Sequence, residues 1–309
     1  MPTAITNGAR IRTNTQAENA YNALEASNRD IALRQLRLST GRRINAASDD
    51  VAGYITSRSL GSRVGTLRSA LNSVGDAQST VAIAADSLDN INSLLTQIKD
   101  AAATATSGAL GTDEKVALAK AAYRLVQQIQ TVVDTTVFGG KQILGGTFSA
   151  DFVIGFNATN TLITLGIDLT TGSSEFNIVG GDTSLQSAST RFAGITGLDL
   201  TDLNDISATD LGIFASSVIT STLTSLSNAL TNVNNIAAYL GGIQNRLTSQ
   251  DDLIRSQITN YNAAVSRIAD ADVAQEQLQL AKSQFIQQAA LTSLVQANQA
   301  PQLFLQLFR

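Results

Sequence analysis

A regular spacing of apolar residues along one predicted helix most restricts the fold of this chain. Steps of three and four residues alternate through Val64, Leu67, Leu71, Val74, Gln78, Val81, Ala85, Leu88, Asn92 and Leu95. Steps that average 3.5 residues are typical of a helix with a coiled-coil seam. Pro2 and Pro301 lie close to the ends of the chain, so no proline between them interrupts a helix by removing a backbone N–H.

The same spacing recurs elsewhere. A second seam takes over at Ile91, Ile98, Ala102 and Ala105, which predicts that the first helix contacts different neighbours at its two ends. The C-terminal half repeats the pattern at Ile236, Leu240, Ile243, Leu247, Gln250, Ile254, Gln257, Tyr261, Ala264, Ile268 and Ala271. A shorter stretch shows the same spacing at Leu118, Ala122, Leu125, Ile129 and Val132. Polar seam residues such as Gln78, Asn92, Gln250 and Gln257 either fix the register of a coiled coil or lie in solvent.

The middle of the chain loses this helical period. The segment from Phe138 to Leu144 is rich in glycine and predicts a turn. Two strand-like runs, Phe148–Phe156 and Leu162–Leu169, flank a polar stretch that suits a hairpin loop. Residues from about 172 to 210 have no clear period and predict a short outer tip.

Composition excludes several classes of function. The chain has no Cys and no His, which removes thiolate metal sites, the commonest general base and the commonest metal ligand. We therefore expect no enzyme activity, no metal site and no cofactor. Asp49 and Asp50 fit the start of a helix, where the helix dipole favours acidic residues.

Charge and hydropathy point to a protein partner. Arg residues outnumber acidic residues in residues 1–75, but no aromatic residues are interleaved for base stacking. We expect these arginines to bridge to acidic groups and predict no nucleic acid as a partner. No run of about 18 apolar residues exists, so membrane insertion is not expected. The first ten residues also lack the pattern of a cleaved signal peptide.

The terminal segments carry apolar side chains that an isolated helix cannot bury by itself. We predict that these side chains, together with two arginines, form contacts between copies of the chain. The candidate residues are Tyr21, Leu24, Ile31, Leu38, Arg42, Arg43, Phe285, Leu291, Leu294, Leu303, Phe304, Leu307 and Phe308.

Several long motifs follow one another along the chain. They are Leu38–Gly53, Phe138–Leu144, Leu240–Leu247, Ser266–Asp272 and Gln296–Gln302. In this order they resemble the motifs of bacterial flagellin, and the resemblance covers roughly residues 10–147 and 215–309. It implies a mainly α fold, in which N- and C-terminal segments form a long antiparallel helical coiled-coil bundle with a small β-hairpin region in the middle.

The resemblance also implies a layered organisation. Residues 1–44 and 268–309 would form an inner terminal coiled-coil domain. Residues 45–172 and 211–267 would form a helical tube domain with the β-hairpin, and residues 173–210 a short outer tip.

The function implied is that of a structural subunit that assembles with itself into the bacterial flagellar filament for motility. The alternative is the hook–filament junction protein, which shares the terminal domains of flagellins. Other implied partners are a flagellar export chaperone, the filament cap and hook-associated proteins. The resemblance places the protein outside the cell, exported without a cleaved signal peptide.

One segment departs from the family pattern. Flagellins sensed by the innate receptor Toll-like receptor 5 carry an Arg-rich stretch that aligns with residues 95–102. The receptor-facing candidates here are Gln97, Lys99, Asp100 and Ala101. Gln97 replaces an Arg and Ala101 replaces a Leu, which argues against recognition by that receptor.

Overall fold

A computed structural model describes residues 14–157, 161–170, 191–192, 195–196, 206–208 and 211–307. Long α-helices make up most of this part of the chain. They are α1 (Thr15–Thr40), α2 (Val51–Ala105), α3 (Thr112–Thr135), α4 (Ile219–Ala269) and α5 (Val273–Leu307). The short antiparallel pairs are β1 (Val137–Phe138) with β2 (Lys141–Gln142), β3 (Thr147–Phe156) with β4 (Leu162–Thr170), and β5 (Arg191–Phe192) with β6 (Ile195–Thr196). The predicted mainly α fold with a small hairpin region is confirmed.

Packing divides the chain into two compact units. Unit 1 comprises residues 1–64 and 259–309, and unit 2 comprises residues 65–258. The three-part division predicted above remains a prediction, and most of its outer tip, residues 173–210, lies outside the described residues.

Unit 1 contains the antiparallel pair of α1 and α5, which is packed through small and polar residues. The buried positions of α5 recur every seven residues at Glu276, Ser283, Ala290 and Ala297. Ala20 and Ser27 are the matching buried residues of α1. Small side chains leave little bulk between two helices, so their backbones can approach closely.

In unit 2 the buried side of α2 follows a strict seven-residue repeat. One row is Leu67, Val74, Val81, Leu88, Leu95 and Ala102, and the other is Ala70, Ala77, Ala84, Ile91, Ile98 and Ala105. Each of these side chains is at most 6% exposed. A seven-residue repeat keeps one face of the helix against its partners from residue 67 to residue 105.

Two details of the predicted α2 seam were wrong. The buried positions lie one residue before Leu71, Gln78, Ala85 and Asn92, which are only half-buried. Alanines occupy three of the true positions, and their small side chains gave a weaker apolar signal than their neighbours. The second predicted seam does not lie on a different face of α2. Ile91, Ile98 and Ala105 continue the row of buried alanines at the same spacing.

The seam predicted along α4 is buried at Leu240, Ile243, Leu247 and Ile254, and the other residues named for it are half-buried. The hydrogen bond that Gln250 makes to the hairpin was not predicted from the sequence. A bulge separates Val153 from Gly155 in β3, and the Gln250 side chain donates to the Ile154 carbonyl at 2.7 Å. The Val153 amide donates to Ser73 Oγ of α2 at 2.9 Å. Helix side chains thus satisfy the backbone groups of the bulge and hold the hairpin on α2 and α4.

The predicted strands are confirmed to within one residue at each end, and residues 158–160 of the loop predicted between them lie outside the described residues. The predicted turn is also confirmed, because Gly139 and Gly140 both have positive φ (57° and 80°) between β1 and β2. This conformation suits glycine in a two-residue hairpin turn.

Candidate assembly surface

The connectors between the helices of unit 1 bind each other. Gly41 ends α1 in the left-handed conformation, with φ of 67°, and its carbonyl accepts from the Ala271 amide at 3.0 Å. The Arg43 amide donates to the Ala269 carbonyl at 2.7 Å, and Arg42 forms an isolated antiparallel bridge with Asp270. The α1–α2 connector and the α4–α5 connector are therefore fixed to each other.

Two adjacent carboxylates shape the α1–α2 connector. Asp49 Oδ2 accepts from the amides of Asn45 at 2.9 Å and Ala46 at 3.0 Å. These hydrogen bonds, the one from Ala46 above all, lower the pKa of the Asp49 carboxyl from its usual value. Asp50 Oδ1 accepts from the Gly53 amide at 2.9 Å and caps the start of α2. The prediction that this pair starts a helix is therefore right for Asp50, while Asp49 closes the preceding turn.

Gly53 is required at its position by space rather than by backbone conformation. A Cβ built there would lie 2.5 Å from Asp50 Oδ2 and 2.6 Å from Ile44 Cδ1. Ile44 is only 4% exposed, so it cannot move without opening the packing of the connector.

A polar cluster links α1 to α5 at the end next to these connectors. Glu276, on α5, accepts from Arg34 Nη1 at 2.9 Å and from Arg37 Nη1 at 3.3 Å. The hydrogen bond that Arg34 donates to Glu276 raises the pKa of the Arg34 guanidinium above its usual value. Further along the pair, Ser283 bonds to both Ser27 and Asp30. These contacts fix the register of the two helices.

The other end of the pair is held by a contact that a proline makes possible. Pro301 has no backbone N–H, so the Ala297 carbonyl one turn earlier in α5 lacks its helical donor. Asn14 Nδ2 donates to that carbonyl at 2.7 Å. The other side-chain atom of Asn14, Oδ1, accepts from the Ala17 amide and caps α1. The Asn14 side chain therefore links the beginning of α1 to the carbonyl of α5 that has no helical donor.

Because small and polar residues occupy the α1–α5 contact, large apolar side chains face outward. Phe285 is 72% exposed and Tyr21 57% exposed, and Leu291 is also exposed. Leu24, Ile31, Leu38 and Leu294 are half-buried along the pair. Leu278, at 67% exposure, and Ile286 were not predicted from the sequence, and they line a shallow groove of about 560 Å³ with Phe285. The seven-residue interval between Leu278 and Phe285 was the available signal.

The remaining candidates lie in different surroundings. Both Arg42 and Arg43 are exposed, but Arg43 Nη2 donates to the Ile268 carbonyl of its own chain at 2.6 Å. Leu303, Phe304 and Leu307 belong to α5, and Phe308 lies outside the described residues.

The receptor-facing candidates lie along α2. Gln97 and Asp100 are exposed on it, whereas Lys99 and Ala101 are half-buried. Their role in receptor recognition remains a prediction.

None of the helices in the described ranges is long and apolar enough to cross a membrane. The groups that could carry a function are instead the outward apolar side chains and the cationic groups of unit 1.

Comparisons with known proteins agree with this architecture. The family description "bacterial flagellin N-terminal helical region" matches residues 11–149, and "bacterial flagellin C-terminal helical region" matches residues 203–308. Flagellin from Bacillus subtilis is 29% identical, over 97% of this chain and 100% of the relative. The flagellar filament 33 kDa core protein from Treponema phagedenis is 26% identical, over 97% of this chain and 99% of the relative.

A solved structure, described as that of a flagellar hook-associated protein from Vibrio parahaemolyticus, shares the fold. Its TM-score is 0.54 at 12% identity, with 72% of this chain and 100% of that chain covered. The two family matches span most of the chain and include both ends of the α1–α5 pair. The chain therefore belongs to the bacterial flagellin family and is a structural subunit of the flagellar filament.

Proposed function

We propose that the outward face of the α1–α5 pair is the surface through which copies of the chain contact one another in the filament. The observation that carries this proposal is the row of exposed apolar side chains on α5, led by Phe285 and Leu278. Exposed apolar surface of this extent marks an interaction site in a soluble protein. The predicted interface residues Tyr21 and Leu291 lie on the same pair of helices and support the assignment.

The energetic reason is that the two sides of each helix in the pair carry different kinds of residue. Contacts between α1 and α5 within one chain use Ala, Ser and charged groups, which bury little apolar area. Fully burying one Phe or Leu side chain contributes about 1.5–3 kcal/mol. Contacts between copies can therefore supply the apolar burial that the pair lacks by itself, and assembly would stabilise the helices it joins.

The role that follows is structural and requires no catalysis. The place of action is the extracellular flagellar filament, in line with the filament protein among the relatives. By the same family relationship we infer that an export chaperone, the filament cap and hook-associated proteins are further partners. The fold shared with a hook-associated protein does not favour the junction alternative, because a likeness at 12% identity reflects fold alone.

Seeded polymerisation of the purified chain tests the proposal. We expect wild type to grow long filaments, and Phe285→Ser to raise the monomer concentration left at equilibrium by about tenfold, which is the equivalent of 1.4 kcal/mol. Phe285→Leu is the matched control, because it keeps an apolar side chain and should stay close to wild type. An equilibrium monomer concentration of Phe285→Ser equal to that of wild type would refute the interface. If the wild-type chain binds to the ends of the seeds but does not elongate them, the junction alternative is favoured.

A further inference from the structure

A cationic cavity in unit 1 is not explained by the contacts described so far. It has a volume of about 340 Å³ and lies beside the α1–α2 connector. Arg42, Asn45, Tyr54, Ser57 and Arg58 line it, so hydrogen-bond donors predominate on its walls. No carboxylate is among its lining residues.

The two guanidiniums of this cavity lack an anionic partner. Within the described ranges, neither Arg42 nor Arg58 forms an ion pair with a carboxylate, whereas Arg34, Arg37 and Arg43 do. Arg58 is nevertheless held in place. Its Nη2 donates to the Tyr54 hydroxyl at 3.2 Å, and its Cζ lies 5.3 Å from the centre of the Tyr54 ring. A guanidinium oriented in this way loses less freedom when it binds a planar anion.

The cavity adjoins an apolar surface on the same helix. Val51 and Ile55 are each 62% exposed, and with Arg58 they follow steps of four and three residues along α2. Residues at this spacing share one helix face. An apolar patch that ends in an unpaired cation is typical of a surface that binds a protein, because a small free anion would leave the apolar side chains exposed to water.

The chain itself carries the complementary charge. Residues 69–98, here called the acidic stretch, contain Asp76, Asp86 and Asp89 but no Lys or Arg. All three carboxylates are exposed. We propose that the cationic cavity receives a carboxylate of the acidic stretch of a second copy of the chain. This inference rests on the proposed function, because it requires that copies pack together, and it names a polar contact next to the apolar ones.

Substitution at Arg58 is the first test. Arg58→Gln in the full-length chain is expected to raise the equilibrium monomer concentration in seeded polymerisation by about five- to tenfold, because the carboxylate would lose its charged partner. Arg58→Lys should lie between Gln and wild type, since Lys keeps the charge without the planar fork. Arg255→Gln is the matched control, because it removes the same charge from an ion pair with Asp251 within α4, in unit 2.

Charge reversal identifies the partner carboxylate. Arg58→Asp should block growth, and pairing it in the same chain with Asp76→Arg, Asp86→Arg or Asp89→Arg should restore growth for the one position that docks. We expect one double variant to lower the equilibrium monomer concentration at least threefold below that of Arg58→Asp alone. If none of the three does so, the acidic stretch is not the occupant and the inference is overturned.

These results separate the inference from the proposed function. If Phe285→Ser raises the equilibrium monomer concentration as expected, while Arg58→Gln polymerises like wild type, the apolar interface stands and the cavity has no role in assembly. Thermal unfolding of each monomer by circular dichroism shows whether a variant is folded. An Arg58 variant that stays folded and loses growth supports the intermolecular contact.

Discussion

Asn14 donates to the Ala297 carbonyl, which has no helical donor because residue 301 is a proline. This contact leads to a prediction in which a second substitution should cancel the effect of the first. Asn14→Asp keeps an oxygen that can cap α1 but removes the amide that donates to the Ala297 carbonyl. Aspartate and asparagine cap helices about equally well. The expected loss is therefore that of the hydrogen bond to a part-buried carbonyl, about 1–2 kcal/mol.

Pro301→Ala supplies the rescue. Alanine restores a backbone N–H one turn after Ala297, so the carbonyl regains a helical donor and no longer depends on Asn14. In the Pro301→Ala background, Asn14→Asp should cost less than about 0.5 kcal/mol. The coupling between the two substitutions, which a double-mutant cycle isolates, is then about 1 kcal/mol.

The assay is the equilibrium monomer concentration in seeded polymerisation, because the α1–α5 pair belongs to the proposed assembly surface. A cost of 1–2 kcal/mol corresponds to an increase of about five- to thirtyfold for Asn14→Asp. The increase should be at most about twofold in the Pro301→Ala background. If Asn14→Asp raises the equilibrium monomer concentration equally in both backgrounds, Asn14 acts only as a cap of α1. The reasoning about the Ala297 carbonyl and Pro301 would then be wrong.

Three further predictions concern the other contacts. Glu276→Gln should weaken assembly by about 2–3 kcal/mol in the same assay, because the partly buried Arg37 guanidinium loses its carboxylate and Arg34 keeps only Asp30. Glu25→Gln, which breaks an exposed pair, should change it little. Asp49 stabilises the fold fully above its ordinary pKa of 3.8 and loses this effect as the pH falls through its lowered pKa. Asp49→Asn should therefore lose less thermal stability on acidification than wild type. Gln250→Leu should lower the free energy of unfolding of unit 2 in urea by about 1–2 kcal/mol, because it leaves the bulge carbonyl unpaired, and a loss of equal size in Gln257→Leu would contradict this.

The long helices, the hairpin and the family could be predicted from the sequence, because each leaves a local or repetitive signal. A seam of apolar residues is visible wherever the residues are large, as along α4. On α2 the row of Leu67, Val74 and Val81 was predicted correctly, but the other row was misplaced by one residue, because Ala70, Ala77 and Ala84 are the buried residues there. Small side chains carry little hydropathy, and only the close approach of another helix makes them core residues.

The sequence alone thus determined that this chain forms long helices with apolar faces and closes on itself near its middle. Which face meets which partner was decided by the tertiary structure. Asn14 and Ala297, or Arg34 and Glu276, are separated by more than 240 residues. In the sequence, the side chains of Asn14, Arg34 and Glu276 do not differ from those of exposed polar residues. A hydrogen bond between distant segments depends on the register of two helices, and that register exists only once their small seam residues have packed together.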